Sequence, residues 1–204
     1  MRKRIFFLPF LAGALLLLFT LSPLKAAMAQ SPSPLPGDGA PSRDSAELIL
    51  LFKADQAERE NFTKMSAREL LTMRVRDRKR RERVLELMQS GALSTAMDYY
   101  CAAMIYQHGE KPDDFLVAHI LSTISAFNGY GPARWLSAAS LDRYLRSREN
   151  PQVFFTQYSV DGKGSWSLEP HCTLVPEKVQ KEFGVPSLEE TMKFLEERNK
   201  EQVK

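Results

Sequence analysis

The chain has 204 residues, 44% of them apolar and 26% charged, with 28 basic against 25 acidic side chains. Arg2, Lys3, Arg4 and Lys25 fall in residues 1–29 and no acid does, so without that segment 24 basic residues face 25 acidic ones, a net charge of −1. A near-neutral remainder removes the bulk-charge basis for binding nucleic acid or anionic membranes, and its length suffices to bury one core without staples.

Residues 1–29 read Met-Arg-Lys-Arg, an apolar run from Ile5 to about Leu21, and then Ala27-Met28-Ala29 before Gln30. A charged start, an apolar stretch and a small-x-small site are the layout of a secretory signal peptide. The run is only just long enough to span a bilayer, and Pro23 with the Ala-Met-Ala site favours cleavage over retention as an anchor. The mature chain is expected to begin at Gln30, to be periplasmic or secreted, and not to span a membrane. Residues 30–43 form a Pro/Gly/Ser-rich linker, and 44–204 the folded domain. In an oxidising compartment Cys101 and Cys172 fit either a disulfide or two buried thiols. Asn61-Phe62-Thr63 matches a glycosylation sequon, which matters only in a eukaryotic secretory pathway.

Five helices are predicted in succession from 3.6-residue apolar spacing. The first runs from Asp44, with Asp44-x-x-Glu47 as a capping box, to Phe62; the second from Ser66 or Thr72 to Gln89. The third covers Thr95 to His108, the fourth runs from Pro112 to Gly129, and the fifth covers Pro132 to Arg148. Beyond Pro151 the segment QVFFTQYSV, a turn at 161–164 and SWSLEP read as one β-hairpin. Short helices from Pro176 to Phe183 and from Ser187 to Asn199 close the domain, the latter with Ser187-x-x-Glu190 as its box. The expected fold is mainly α: a single orthogonal helical domain of about five to seven helices with one small β-hairpin.

Polar residues interrupt the apolar faces. On the first helix the inward stripe runs Leu48, Phe52, Asp55, Arg59, Phe62, which puts an acid and a base one turn apart. His108 shares a face with Met97, Cys101, Met104 and Ile105; His119 is flanked by Leu116, Ile120 and Thr123. Asp142 aligns with Trp135 and Ala138, with Arg143 beside it. Burying such groups unpaired costs several kcal/mol, so they are expected to meet one another. The run Arg74 to Arg83 wraps its charges around a helix and reads as a solvated segment, with contact to an anionic envelope component as its functional alternative.

Asp55-Gln56-x-x-Arg59, Asp77-x-x-Arg80-Arg81, Asp98-Tyr99-Tyr100, Gln107-His108-Gly109, Ala118-His119, Trp135-Leu136-x-Ala138-Ala139-x-x-Asp142-Arg143 and Pro151-Gln152-x-x-x-Thr156-Gln157 occur in this order. The combination resembles a family of uncharacterised bacterial proteins that share a domain of unknown function. The likeness runs from about Leu48 to Pro186. It implies a bacterial origin and marks these positions, without implying an activity. Where that family reads Tyr-Gly-Thr-Gln, this chain has Phe154-Phe155-Thr156-Gln157.

His108, His119 and Asp142 are the candidate catalytic residues. Asp55, Gln56, Arg59, Asp98, Gln107, His108, Asp142, Arg143 and Gln157 are the candidate binding residues, with Glu169 as a further acid within possible reach. No His-x-x-x-His or Glu-x-x-His pair preorganises a metal site, no Gly-x-Ser-x-Gly elbow occurs, and no glycine-rich phosphate loop is present, so no metal or cofactor is expected. Two classes of function fit. One is an exported helical module that binds a peptide, glycan or protein partner in the cell envelope; the other is a hydrolase-like enzyme built on the His/Asp/Arg/Gln cluster. Exposure separates them: a cluster open to a pocket favours the enzyme, a sealed one the module.

Overall fold

A computed structural model describes residues 43–202. The expected leader and nearly all of the linker, 1–42, lie outside the described residues. Helix α1 spans Arg43–Arg59 and is followed by a 3-10 turn at Phe62–Lys64; α2 is Ala67–Gln89, α3 Ala96–Tyr106, α4 Pro112–Phe127 and α5 Pro132–Ser147. Strands β1 (Tyr158–Val160) and β2 (Trp166–Leu168) precede α6 (Glu177–Glu182) and α7 (Leu188–Gln202). The fold is mainly helical with one small antiparallel sheet, as the periodicity implies.

Local chemistry sets the ends. Ser66 and Glu69 form a reciprocal capping box at the start of α2, Thr95 and Asp98 do the same for α3, and Ser187 and Glu190 for α7. The expected box at Asp44 is not the start of α1, which already contains Arg43. Pro112 and Pro132 open α4 and α5, where a missing N–H costs nothing. Gly109, directly after His108, has no room for a side chain: a Cβ there would stand 2.1 Å from that of Asp114, whose carboxylate accepts from the Glu110 and Lys111 amides. The sharp turn that ends α3 therefore requires glycine.

The main core gathers Leu48, Phe52, Val84, Leu87, Tyr100, Met104, Leu121 and Leu136 from α1 to α5. Helices α3, α4 and α5 pack most extensively, through faces rich in alanine and serine. Ser122 and Ser140 bond back to the carbonyls of Ala118 and Leu136, at 2.7 Å each, so small polar side chains are buried without orphaned hydroxyls. This shifts the inward face of α4 to Ala118, Leu121, Ser122 and Ser125 and leaves Ile120, expected inside, 49% exposed. A second apolar cluster of Ala138, Val153, Phe154 and Val185 joins α5 to the C-terminal elements.

The hairpin is shorter than the aromatic run suggests. The two-stranded ladder joins Tyr158, Ser159 and Val160 to Leu168, Ser167 and Trp166; before it, Gln152 makes an isolated parallel bridge with His171, and 153–156 leaves the strand direction. Helix α7 covers the sheet, and its Asn199 side chain accepts from the Trp166 amide at 2.7 Å and donates to the Trp166 carbonyl at 3.0 Å. Cys101 is buried in the main core, its thiol pushed up to about 12 by burial; Cys172 packs against the second cluster, and both are free thiols.

Candidate functional site

Asp55 is the hub of the first half of the polar network. The face of α1 that buries Leu48 and Phe52 also encloses its side chain completely. Its carboxylate accepts from Gln56 Nε2 and from Arg59 Nη1, each at 2.8 Å, and meets His108 Nδ1 at 2.9 and 3.2 Å. Arg59 Nη2 continues to Asp77 at 2.7 Å, and the other Asp77 oxygen takes Arg80 Nη1 at 2.7 Å. Arg80 also reaches Glu58 at 2.7 Å, and Glu58 meets Arg76 at 2.6 Å. Asp55, Glu58 and Asp77 thus stand against Arg59, Arg76 and Arg80, which balances the charge taken out of water.

The balance fixes protonation. Burial disfavours the Asp55 carboxylate, but His108, Arg59 and Gln56 together hold it below its ordinary range. For His108 burial dominates and favours the neutral ring; Asp55 pulls the other way, Arg59 and Arg143 reinforce burial, and the result lies below the usual value. A neutral His108 beside an ionised Asp55 donates Nδ1–H to it and keeps the lone pair on Nε2. The His108 side chain is 11% exposed and that of Arg59 18%, so the network meets solvent along this edge.

Arg143 links this half to the next. Its Nη1 donates to the Gln107 carbonyl, its Nε donates to Gln157 Oε1 at 3.3 Å, and its guanidinium lies 5.7 Å from the Phe115 ring centroid. Gln157 in turn donates to the Ala139 carbonyl at 3.1 Å and to the Thr156 hydroxyl at 3.0 Å.

Asp142 organises the last part. Segment 152–157 wraps its carboxylate: the amides of Val153, Phe154 and Thr156 and the Thr156 hydroxyl donate to it over 2.7–3.1 Å. Gln152 closes the wrap, accepting from the Gln157 amide at 2.8 Å and donating to the Gln157 carbonyl at 2.9 Å, and Gln180 ties the Val153 carbonyl at 2.9 Å. Burial pushes the Asp142 carboxyl up against the pull of these donors. Phe155 adopts φ of 59° in this wrap, a left-handed conformation that favours glycine, and does so at the position where the Tyr-Gly-Thr-Gln pattern carries one. Its ring is buried edge-on to His171, with centroids 5.4 Å apart, and the aromatic contact offsets the backbone cost.

The sequence-derived residues therefore divide. Asp55, Gln56, Arg59 and His108 form one contact network, joined through the Gln107 backbone to Arg143, Gln157, Thr156 and Asp142. His119 lies apart, with Nδ1 at 2.9 Å from the Ser137 carbonyl and 3.2 Å from the Ser137 hydroxyl. Asp98 is spent on the α3 cap, where it accepts from the Ser94 and Thr95 amides at 3.0 and 2.8 Å. The Gln107 side chain faces Met104 Sδ at 3.1 Å, so its backbone, not its amide group, serves the network. Glu169 pairs with Arg146 at 2.9 Å.

Asp77, Arg80 and Arg81 correct the expectation that 74–83 is a solvated segment. All three are buried, on the same inward stripe as Met73, Val84 and Leu87. Their spacing of three and four with those residues is the signal that finds them. Arg81 donates to the His108 carbonyl at 3.2 Å and lines a cleft of about 510 Å³ with Arg78, Glu82, Leu85, Tyr106, Glu110, Lys111 and Asp114. Among the described residues no group of His, Cys, Asp and Glu has a metal-binding arrangement, and no helix is long and apolar enough to cross a membrane. Comparison of the chain with protein-family models, curated proteins and solved structures gives no match.

Proposed function

We propose that this chain is an exported helical module of the bacterial cell envelope that binds a peptide, glycan or protein partner without turning it over. The observation that carries the reading is the closure of the polar network: Asp55 and Asp142 are 0% exposed and their oxygens are committed to neighbours inside the fold. Buried, bonded carboxylates specify helix packing and loop shape. Around Asp55 the network reaches outward through Arg59 and His108, and beyond them through Glu58 and Arg76. The leader-like residues 1–29 and the near-neutral remainder support export.

Expression in a Gram-negative host with a photo-crosslinking residue at Glu60, exposed beside Arg59, tests both parts. The expected result is a periplasmic product starting at Gln30 that gives one discrete adduct from Glu60 and none from Phe127, which is 87% exposed elsewhere. A product that keeps Met1, or no adduct from Glu60, contradicts the reading.

One observation favours the enzyme reading. His108 Nδ1 lies within 3.2 Å of both Asp55 oxygens, the arrangement of a general base oriented by a carboxylate. Turnover of a chromogenic ester, phosphate or glycoside that disappears in His108→Gln, with the helical circular-dichroism signal unchanged, would establish it.

A further inference from the structure

Arg143 is a cation without an anion. Its residue is 9% exposed, and its described partners are a carbonyl, an amide oxygen and an aromatic ring, all neutral. Asp142, the next residue, gives its carboxylate to 153–156 instead. The other buried arginines differ: Arg80 pairs with Asp77 at 2.7 Å, and Arg81 lies 3.7 Å from Asp114. A buried guanidinium without a counter-charge costs far more than a paired one. Two of its nitrogens, Nε and Nη1, are bonded, and Nη2 takes no partner among the described residues.

The surroundings point the same way. Arg143 holds the carbonyl of Gln107, the residue before His108; burial, reinforced by repulsion from Arg59, lowers its pKa to about 10. Arg59 and His108 share Asp55 and are partly exposed, at 18% and 11%. His108 Nε2, like Arg143 Nη2, has no partner among the described residues, and the His108 side chain is 11% exposed. The three side chains thus belong to one bonded network, Arg143 through the carbonyl of the residue before His108, and Arg59 and His108 through the saturated Asp55 carboxylate.

We infer that Arg143, Arg59 and His108 form a binding site for an oxyanion, a carboxylate or phosphoryl group carried by the partner. The inference rests on the reading of the Arg59–His108 edge as the binding face and adds the chemical group read there. Guanidinium forks match such oxygens in geometry and charge, and the bound anion would neutralise Arg143.

The test titrates the mature chain by calorimetry and by amide-resonance shifts with inorganic phosphate, with acetate, and with one short peptide in free-carboxyl and amidated forms, against chloride. Saturable binding of phosphate identifies a phosphoryl group; binding of acetate or of the free-carboxyl peptide alone identifies a carboxylate, and either supports the site. Arg143→Gln is expected to weaken binding about tenfold or more, and Arg59→Gln by less, since Asp55 and Asp77 already offset the Arg59 charge. If Arg143→Gln fails to fold, resonance shifts centred on Arg59, His108 and Arg143 in the wild type decide. Absence of saturable binding, shifts centred elsewhere, or equal affinity in a folded Arg143→Gln protein overturns the inference. A Glu60 adduct without anion binding would leave the partner-binding reading intact and refute this site alone.

Discussion

Asp55 and Asp142 are both fully buried carboxylates on helices, yet they are neutralised in opposite ways. Asp142 is held by backbone amides of one short loop, donors that cannot move without unwinding 153–156. Asp55 is held by side chains of α1 and by His108, two of which reach the surface. Backbone donors make a fixed joint between α5 and the loop. Side-chain donors make a joint whose outer members can take a second partner while the inner carboxylate keeps them oriented. The first arrangement is architecture; the second leaves room for recognition.

The contrast is broken most sharply at Asp142. Asp142→Ala strands three buried amides and the Thr156 hydroxyl and is expected to cost about 4 kcal/mol, and Asp142→Asn roughly half of that, because one carbonyl oxygen still accepts. Urea unfolding measures both. Asp55→Ala is expected to cost roughly 3 kcal/mol, since it leaves Arg59, Arg76 and Arg80 against Glu58 and Asp77 only. Asp55→Ala combined with Arg59→Met should be less damaging than Asp55→Ala alone, and equal small losses would mean that the pair contributes little. No such rescue is expected at Asp142, whose partners are main-chain amides apart from the Thr156 hydroxyl.

Acid separates the two halves in another way. His108 has a folded pKa below its unfolded one, so the unfolded chain takes up the proton first as pH falls. Stability is therefore complete above pH ~6.5 and erodes as pH falls from there through the folded His108 value. Asp55, lowered in the fold, adds a second loss below pH ~3.9. Asp142, raised in the fold, has the opposite sign: protonation near its folded value relieves a penalty. Melting temperatures of wild type and His108→Gln across pH 4.5 to 7.5 should converge at the acid end, apart from a constant offset. A parallel pair of curves would place the loss elsewhere.

The smallest expected effect is at Phe155. At φ of 59° glycine is favoured over alanine, so Phe155→Gly should be about 1 kcal/mol more stable than Phe155→Ala, reversing the usual order. Paired thermal melts of the two variants decide it.

These elements also show what a sequence carries. The Asp55–Arg59 pair and His108 were legible because a charged group at a helical core position has to find a partner nearby. Asp77, Arg80 and Arg81 are marked by the motif resemblance alone; by periodicity they are hidden within a run of ten residues so rich in arginine that charge outweighs phase, although Met73, Val84 and Leu87 mark the same stripe. The partner of Asp142 was not legible, because a backbone amide has no residue type to announce it. The aromatic run before Tyr158 reads as strand for the same reason: the amides of Val153, Phe154 and Thr156 go to a side chain on α5, and only the ends of the run, Gln152 and Gln157, bond to the 169–172 backbone. Ile120 was misplaced because small serines, bonded back to their own helices, can take the inward positions that hydropathy assigns to larger side chains.

The most direct measurement is the protonation state of His108 by ¹⁵N-resolved NMR of the mature chain at pH 7. A neutral ring with Nδ1–H bonded to Asp55, a solvent-accessible Nε2 lone pair and a titration midpoint below 6.5 is the expected result. An imidazolium at pH 7, or a neutral ring protonated on Nε2, would contradict an edge in which Asp55 orients His108 outward.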